Sequence, residues 1–561
     1  MPEQVHLRTI LDLTNSSPQM YVEEATPTPI ELKVTGKIPS YAAGTLYRNG
    51  PGKHQIKGTA RGDFKLSHWF DGFAQVHRFE LIPDSSSEAG MRVQYNSRFN
   101  VDQLIEKIRK TGRYEQITFG QKRDPCDGLF KKFKSVFTAS KGQDADDLNV
   151  CVTIAPDVPG HMPPADKITG THPHHKMLTA FTDSTGFKHI DPETLEPLGA
   201  ANQSKLHPSL TGPFSAAHAN FDPVTGDVIN HNLDFTFPAP TYRVWKTSRA
   251  TGETEILATI KDKDAACAYI HSSFITENLF VLAIWSSHMR GGGINVLWER
   301  NILDAIQKFN PDNKVIWLVV DRKHGKGLVA KYESPAAFSF HNSNAWEVKN
   351  EDGTTDIVLD LVEYKNLDII HKFYYENFMS TSPKAPLYNS VHAEGIASHF
   401  KRYRLAGVPT TEQPTLPPTK KSAEVLMTYS APVVGEFPVI NPLYHTKPSR
   451  FLYTAIDTGK STMFDALCKL DLDTGEAKYW SVDHHTPGEA IFVPNPDGKG
   501  EDDGVLLCCI LDGDKSTSYL LVLDARTMEE VGRAEVERVV PFGFHGRHVA
   551  ISGQVSGPAA E

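Results

Sequence analysis

Apolar and polar residues alternate over short stretches of this chain, and turns punctuate the stretches. Glu31-Leu-Lys-Val-Thr35 sets apolar side chains at every second position, the period of a half-buried strand. Farther along, Tyr519-Leu-Leu-Val-Leu523 and Val531-Gly-Arg-Ala-Glu-Val536 are β-rich runs, and Asp524-Ala-Arg-Thr-Met-Glu529 between them predicts a tight hairpin turn. Asp191-Pro-Glu-Thr-Leu-Glu196, Asp222-Pro-Val-Thr-Gly-Asp227, Ser248-Arg-Ala-Thr-Gly-Glu253 and Asp471-Leu-Asp-Thr-Gly-Glu476 repeat its form. One hairpin turn recurring at irregular intervals, with few helical periodicities, predicts an all-β chain. A β-propeller is favoured over a large β-sandwich because repeated blades explain repeated turns.

Other segments add detail to this frame. Val101, Leu104, Ile105 and Ile108 fall on one face of an amphipathic helix. Leu129, Phe130, Phe133, Val136 and Phe137 do the same in a second helix, with Lys131, Lys132 and Lys134 elsewhere on it. These insertions, at about residues 100–140, are expected to cap one face of the propeller. The run from His68 to Phe79 predicts a hairpin turning at Asp71-Gly72. Gly50-Pro51-Gly52 predicts a sharp turn. Residues 1–30 are polar and proline-rich, a surface arm. Residues 31–561 read as a single domain, with a proline-rich loop at 408–422.

Composition narrows the functions. Lys and Arg number 58 against 68 Asp and Glu, a net charge of −10 with no long basic run, so nucleic-acid binding is not expected. Six scattered cysteines without a CxxC pair suit reduced thiols. No secretory signal and no 18-residue apolar window are present, and the expectation is a cytoplasmic protein.

Four histidines share a context. Phe214-Ser-Ala-Ala-His218, Ala268-Tyr-Ile-His271, Ala337-Phe-Ser-Phe-His341 and Val539-Val-Pro-Phe-Gly-Phe-His545 each end an apolar run beside small residues. Each run reads as a short buried strand that finishes in an imidazole. The histidines lie 53, 70 and 204 positions apart (218 to 271, 271 to 341, 341 to 545), unlike any short helical metal motif. In a propeller, however, inner strands of successive blades face one axis. His218, His271, His341 and His545 are therefore expected to meet at one metal ion. Imidazole suits iron, copper, zinc or nickel, and spacing does not choose among them. Glu436, Glu489 and Asp183 lie in apolar runs where an unpaired carboxylate is costly to bury. Such acids suit the outer shell, each accepting the second N–H of a ligand histidine.

Tyr47-Arg-Asn-Gly-Pro-Gly52, His68-Trp-Phe-Asp-Gly72, Ala217-His-Ala-Asn-Phe-Asp222, Ile270-His-Ser-Ser-Phe274, Phe340-His-Asn-Ser-Asn344, Gly435-Glu-Phe-Pro-Val439 and Phe542-Gly-Phe-His545 together resemble the carotenoid cleavage oxygenases. The resemblance runs from about Leu32 to Val549. It implies a seven-bladed propeller carrying a non-haem Fe(2+) on four histidines, here His218, His271, His341 and His545. It also implies three outer-shell acids. Glu436 and Glu489 match two of them, and Asp183 stands where the family usually has glutamate. The implied reaction adds both atoms of O2 across one C=C bond and yields two carbonyl products.

The stretch from Phe119 to Cys126 and the helix after it resemble the animal-type carotene oxygenases. Phe119, Lys122 and Thr182 are expected along the substrate tunnel. A stilbene-cleaving branch grips a phenol with a tyrosine and with a lysine directly before the first acid. Here that position is Thr182, and Lys122 stands near the tyrosine position. A carotenoid or apocarotenoid polyene is therefore the expected substrate. The alternatives are a stilbene, an isomerohydrolase reaction at the same site, or a metal-free binding propeller. Because polyenes are insoluble, the face of Leu129, Phe130, Phe133, Val136 and Phe137 is expected to touch a lipid surface peripherally.

Overall fold

The computed structural model describes residues 21–123, 145–161, 175–389, 393–409, 419–551 and 555–556. The second predicted helix, with Leu129, Phe130, Phe133, Val136 and Phe137, lies outside them.

The five repeated hexapeptides form one and the same turn. In each, the first amide bonds the sixth carbonyl and the fifth amide bonds the first carbonyl, as in Asp222 N–H to Asp227 O at 2.9 Å and Gly226 N–H to Asp222 O at 2.8 Å. The fifth residue takes a positive φ in every copy: Leu195, Gly226, Gly252, Gly475 and Met528. In four copies the leading aspartate also accepts the amides of the third and fourth residues, which fixes the turn from its own side chain.

These turns belong to antiparallel sheets built in chain order. Thr153–Pro156 to Pro197–Asn202, Asn220–Phe221 to Thr254–Ile260, and Glu436–Val439 to Ala477–Trp480 bound three sheets of four strands. Asn342–Lys349, Thr355–Glu363, His399–Val408 and Glu424–Ser430 form a fourth. Phe274–Ile275 to Leu328–Ser334 make a fifth, to which Lys420–Ser422 adds in parallel. Middle strands such as Leu279–Ile284 and Val315–Asp321 are buried along their whole length, since neighbouring sheets cover both faces.

The arrangement is all-β and propeller-like, but the ladders do not give seven separate sheets. Gln55–Thr59 and Gly62–Lys65 pair by themselves, and the remaining ten strands join in one sheet. Its physical cause is Ile30–Gly36, which pairs with Glu530–Val536 on one side and with Met91–Phe99 on the other. At the far end Gly44–Lys53 pairs with Gly546–Ala550, Tyr47 opposite Arg547, so strands from both ends of the described chain close the ring.

Two local expectations are corrected. His68–Gly72 is not a hairpin turn: Trp69–Asp71 is a 3₁₀ turn, and the strand begins at Phe73. The Asp71 carboxylate is taken up by the amides of Phe119 and Gly120, at 2.6 and 2.8 Å, and does not close a two-residue loop. Gly50-Pro51-Gly52 is no turn either and continues the strand Gly44–Lys53. Gly50 is needed for close approach, because a Cβ there would lie 2.5 Å from the Gly543 Cα.

The first predicted helix forms as Asp102–Thr111, with Leu104, Ile105 and Ile108 buried and Gly112 ending it in the left-handed conformation. From the N-terminal arm, Val22 and Thr26 are pinned to Gly52 and Ser97 by backbone bonds.

Candidate metal centre

Each of the four histidines sits one to three residues before a strand: Asn220–Phe221, Phe274–Ile275 and Asn342–Lys349, each the first of its sheet, and Gly546–Ala550 in the sheet of ten. The apolar runs ahead of them are not strands, which corrects the reading of each as a strand finishing in an imidazole. Their backbone bonds differ: His218 N–H reaches His271 O in a neighbouring sheet at 3.3 Å, while Asn49 N–H to His545 O at 2.8 Å extends the pairing of Gly44–Lys53 with Gly546–Ala550.

The structure brings His218, His271, His341 and His545 together, with one ring nitrogen from each inside a 4.8 Å cluster. Among the described residues no other group of three or more His, Cys, Asp or Glu side chains converges in this way.

The three acids stand behind three of these rings. His271 Nδ1 lies 2.8 Å from Asp183 Oδ1, His341 Nδ1 2.6 Å from Glu436 Oε2, and His545 Nδ1 2.7 Å from Glu489 Oε1. Glu436 and Glu489 are both placed by β-bulges. The pairing register breaks between Glu436 and Val439 and again between Pro487 and Ala490. A bulge re-aims one side chain out of the alternation, here towards the axis.

Each carboxylate has a further donor that sequence reasoning missed. Tyr269 donates to Asp183 Oδ2 at 2.9 Å, and Tyr364 to Glu436 Oε1 at 2.6 Å. Arg48 donates to Glu489 Oε2 at 2.8 Å, and the Gly546 amide to the same oxygen at 2.8 Å. Arg48 also reaches the Phe544 carbonyl at 3.1 Å, fixing the residue before His545. Two of the three were within sight, Tyr269 two positions before a candidate histidine and Arg48 inside a quoted motif.

The electrostatics favour neutral imidazoles. Burial, helped by the neighbouring rings, holds His218 and His545 well below the ordinary histidine range. Burial also lowers His341, against the raising effect of Glu436. Burial pushes the Glu489 carboxyl up to about 8, opposed by Arg48 and the Gly546 amide. Tyr269 and Tyr364 are raised far above the phenol range by burial and by their carboxylates, so they remain donors.

This donor set fits a cation. A carboxylate facing Nδ1 keeps the ring proton there, so His341 and, with Glu489 ionised, His545 each present a bare lone pair at Nε2. Those two atoms face each other at 3.2 Å, and His218 Nε2 lies 3.1 Å from His545 Nε2. Facing lone pairs repel unless a positive ion lies among them.

Three of the rings, His271, His341 and His545, line a cavity of about 1340 Å3. Near the histidines its walls are aromatic, including Trp69, Phe70, Phe119, Phe340, Phe373 and Phe544. Farther out it meets the helix Asp102–Thr111 and polar groups such as Lys107, Arg113 and Lys205. Of the expected tunnel residues, Phe119 and Thr182 line this cavity. Lys122 does not: its ammonium pairs with Glu376 at 2.7 Å and stands over the Tyr374 ring.

Comparison with known proteins gives a consistent set of relatives. A family model described as retinal pigment epithelial membrane protein matches residues 20–550. A torulene dioxygenase of Gibberella fujikuroi is 44% identical over 540 residues, covering 93% of this chain and 91% of its own. A carotenoid dioxygenase of Neurospora crassa is 42% identical over 547 residues, covering 93% and 89%. Among solved structures, a variant of the Synechocystis apocarotenoid oxygenase matches with a TM-score of 0.69 at 22% identity, covering 95% of this chain and 97% of that one. A cobalt-substituted form of that oxygenase matches at 0.67 and 23%, with the same coverage. At those identities the solved structures show a shared fold.

Proposed function

The chain belongs to the retinal pigment epithelial membrane protein family, and on that premise we propose that it is a non-haem iron dioxygenase acting on a carotenoid or apocarotenoid. One C=C bond is cut, one oxygen atom goes to each carbon, and two carbonyl products leave. The observation that carries the reading is the convergence of four imidazoles at the aromatic end of a large cavity. His218, His271, His341 and His545 would hold the iron, which when bound supplies the redox capacity to activate O2 towards an alkene.

The remaining work belongs to the chain. Asp183, Glu436 and Glu489 keep the protons of three rings on Nδ1, so that Nε2 points inward unprotonated. Phe70, Phe119, Phe340 and Phe373 hold an extended apolar substrate in one register beside the quartet. The two positions named for a phenol anchor do not favour the stilbene alternative: Thr182 precedes Asp183, and Lys122 is engaged by Glu376 outside the cavity.

We count seven blades by dividing the ten-stranded sheet at Ile30–Gly36. The division has a chemical correlate. The five sheets of four or five strands supply Asp183, His218, His271, His341 and Glu436, one apiece, while the ten-stranded sheet supplies both Glu489 and His545.

Among the described residues no helix is long and apolar enough to cross a membrane. We take the cavity mouth as the lipid-facing side, since Ile117 and Ile294 are 40% and 61% exposed beside it. Flotation with liposomes should recover the protein and should fail for Ile294→Ser combined with Ile117→Ser.

The central test incubates iron-loaded protein under labelled O2 with torulene, other carotenoids, apocarotenals and resveratrol. Paired carbonyl fragments from a polyene, each carrying label, are expected. Cleavage of resveratrol alone, or no cleavage with iron bound, would sink the assignment.

A further inference from the structure

Two of the three carboxylates behind the quartet are glutamates, and the third, Asp183, is shorter by one methylene. Its bond to a ring nitrogen is the longest of the set, 2.8 Å against 2.6 and 2.7 Å. At His271 a second oxygen also stands within reach of Nδ1: the Tyr269 hydroxyl, 3.2 Å away. That hydroxyl is simultaneously 2.9 Å from Asp183 Oδ2.

One pattern of protons satisfies all three groups. His271 Nδ1 carries a hydrogen, because the carboxylate facing it only accepts. The Tyr269 O–H points to Asp183 Oδ2, which leaves its oxygen lone pair for the same His271 N–H. The molecule contains its own comparison. Tyr364 likewise donates to Glu436, at 2.6 Å, but among the described residues it makes no bond to His341.

We propose that Asp183 and Tyr269 together form the acceptor for His271, the phenol oxygen supplying the reach that the missing methylene removes. Tyr269 is then a positioning residue for the metal and is built to be rigid. Its amide donates to the Ser287 carbonyl at 3.1 Å, and the Ser287 hydroxyl donates back to its carbonyl at 2.7 Å. Its ring stands edge-on to Phe119, centroids 5.4 Å apart, so a wall of the substrate cavity touches the group that orients the ligand. The proposal rests on the reading of the four histidines as a metal site.

The test titrates the full-length protein with cobalt(II) against a chelator and records the visible ligand-field bands. Tyr269→Phe is expected to bind cobalt about tenfold more weakly and to shift the bands. Adding Asp183→Glu to Tyr269→Phe is expected to recover most of the affinity, since a longer carboxylate regains the reach. A merely structural role for the phenol would not be repaired in that way. Wild-type affinity and bands in Tyr269→Phe overturn the proposal, as does a loss that Asp183→Glu leaves unrepaired. An equal band shift in Tyr364→Phe also overturns it, since both phenols would then only brace their carboxylates. If Tyr269→Phe does not fold, a folded, cobalt-binding double variant supports the shared acceptor, and an unfolded one overturns it. A wild type that binds no cobalt refutes the metal reading itself and is recognised separately.

Discussion

Glu436 and Glu489 are 5% and 0% exposed, and each accepts both a histidine proton and another strong donor. Glu436→Gln or Glu489→Gln replaces one acceptor oxygen with an amide, and metal affinity should fall by ~10–100-fold. Equilibrium dialysis against iron would show it, and unchanged affinity in both variants would make the acids structural. The four histidines and three acids were legible one by one, because an imidazole or carboxylate in an apolar run has few inexpensive explanations. Tyr269, Tyr364 and Arg48 were not, since buried tyrosines and strand arginines abound and only coordinates say which carboxylate they meet. Asp71 offers a pH test apart from the quartet. Burial pushes its carboxyl up to about 6, against about 3.9 in an unfolded chain. Between those values the folded state keeps a proton that the unfolded state has released. The stabilising effect is complete below about pH 4 and is lost as the pH rises through about 6, a change of about 3 kcal/mol. Asp71→Asn should flatten that part of the profile in denaturant titrations, and parallel profiles would place the dependence on another group.

The hairpin turns were readable at the scale of the element because an aspartate that caps its own turn leaves a signature in six residues. The inner strands were misread for an equally local reason. Apolar runs such as Phe214–Ala217 look like strands, yet their backbone partners are scattered, Leu233 for Phe214 and Asp183 for Ser215, which no local period encodes. The two bulges that aim Glu436 and Glu489 were likewise invisible as bulges, although Gly435 and Gly488 stand directly before them. At Gly435 a Cβ would lie 1.8 Å from the Ala455 carbonyl oxygen. Gly435→Ala should therefore force the bulge open and destabilise the fold by about 1–3 kcal/mol or more. Metal affinity should drop with it, because Glu436 is the next residue. Thermal melts and metal titration of the same sample would check both, and a variant that keeps its melting temperature would show that the strand can shift.

Across the whole molecule, the quartet draws its four rings from four different sheets, so a bound ion would tie all four together at one point. Metal binding to the folded state alone should stabilise it by mass action, about 2.7 kcal/mol at a hundredfold excess over Kd. Protection of backbone amides from exchange should rise in all four regions together. A gain confined to one of them would mean that the ion sits on fewer ligands. The ring closure described earlier also bears on how fast the molecule is made. Tyr47 must find Arg547 across 500 positions of chain, and contacts that distant form late and slowly. Until they form, Gly44–Lys53 is an open edge, and His545 is absent from the quartet. Refolding should show a slow final phase whose rate is also the rate of metal uptake, and stopped-flow mixing with cobalt would follow both. The histidine quartet is then a record of completed folding, since it is whole only in a chain whose Gly44–Lys53 and Gly546–Ala550 strands have met.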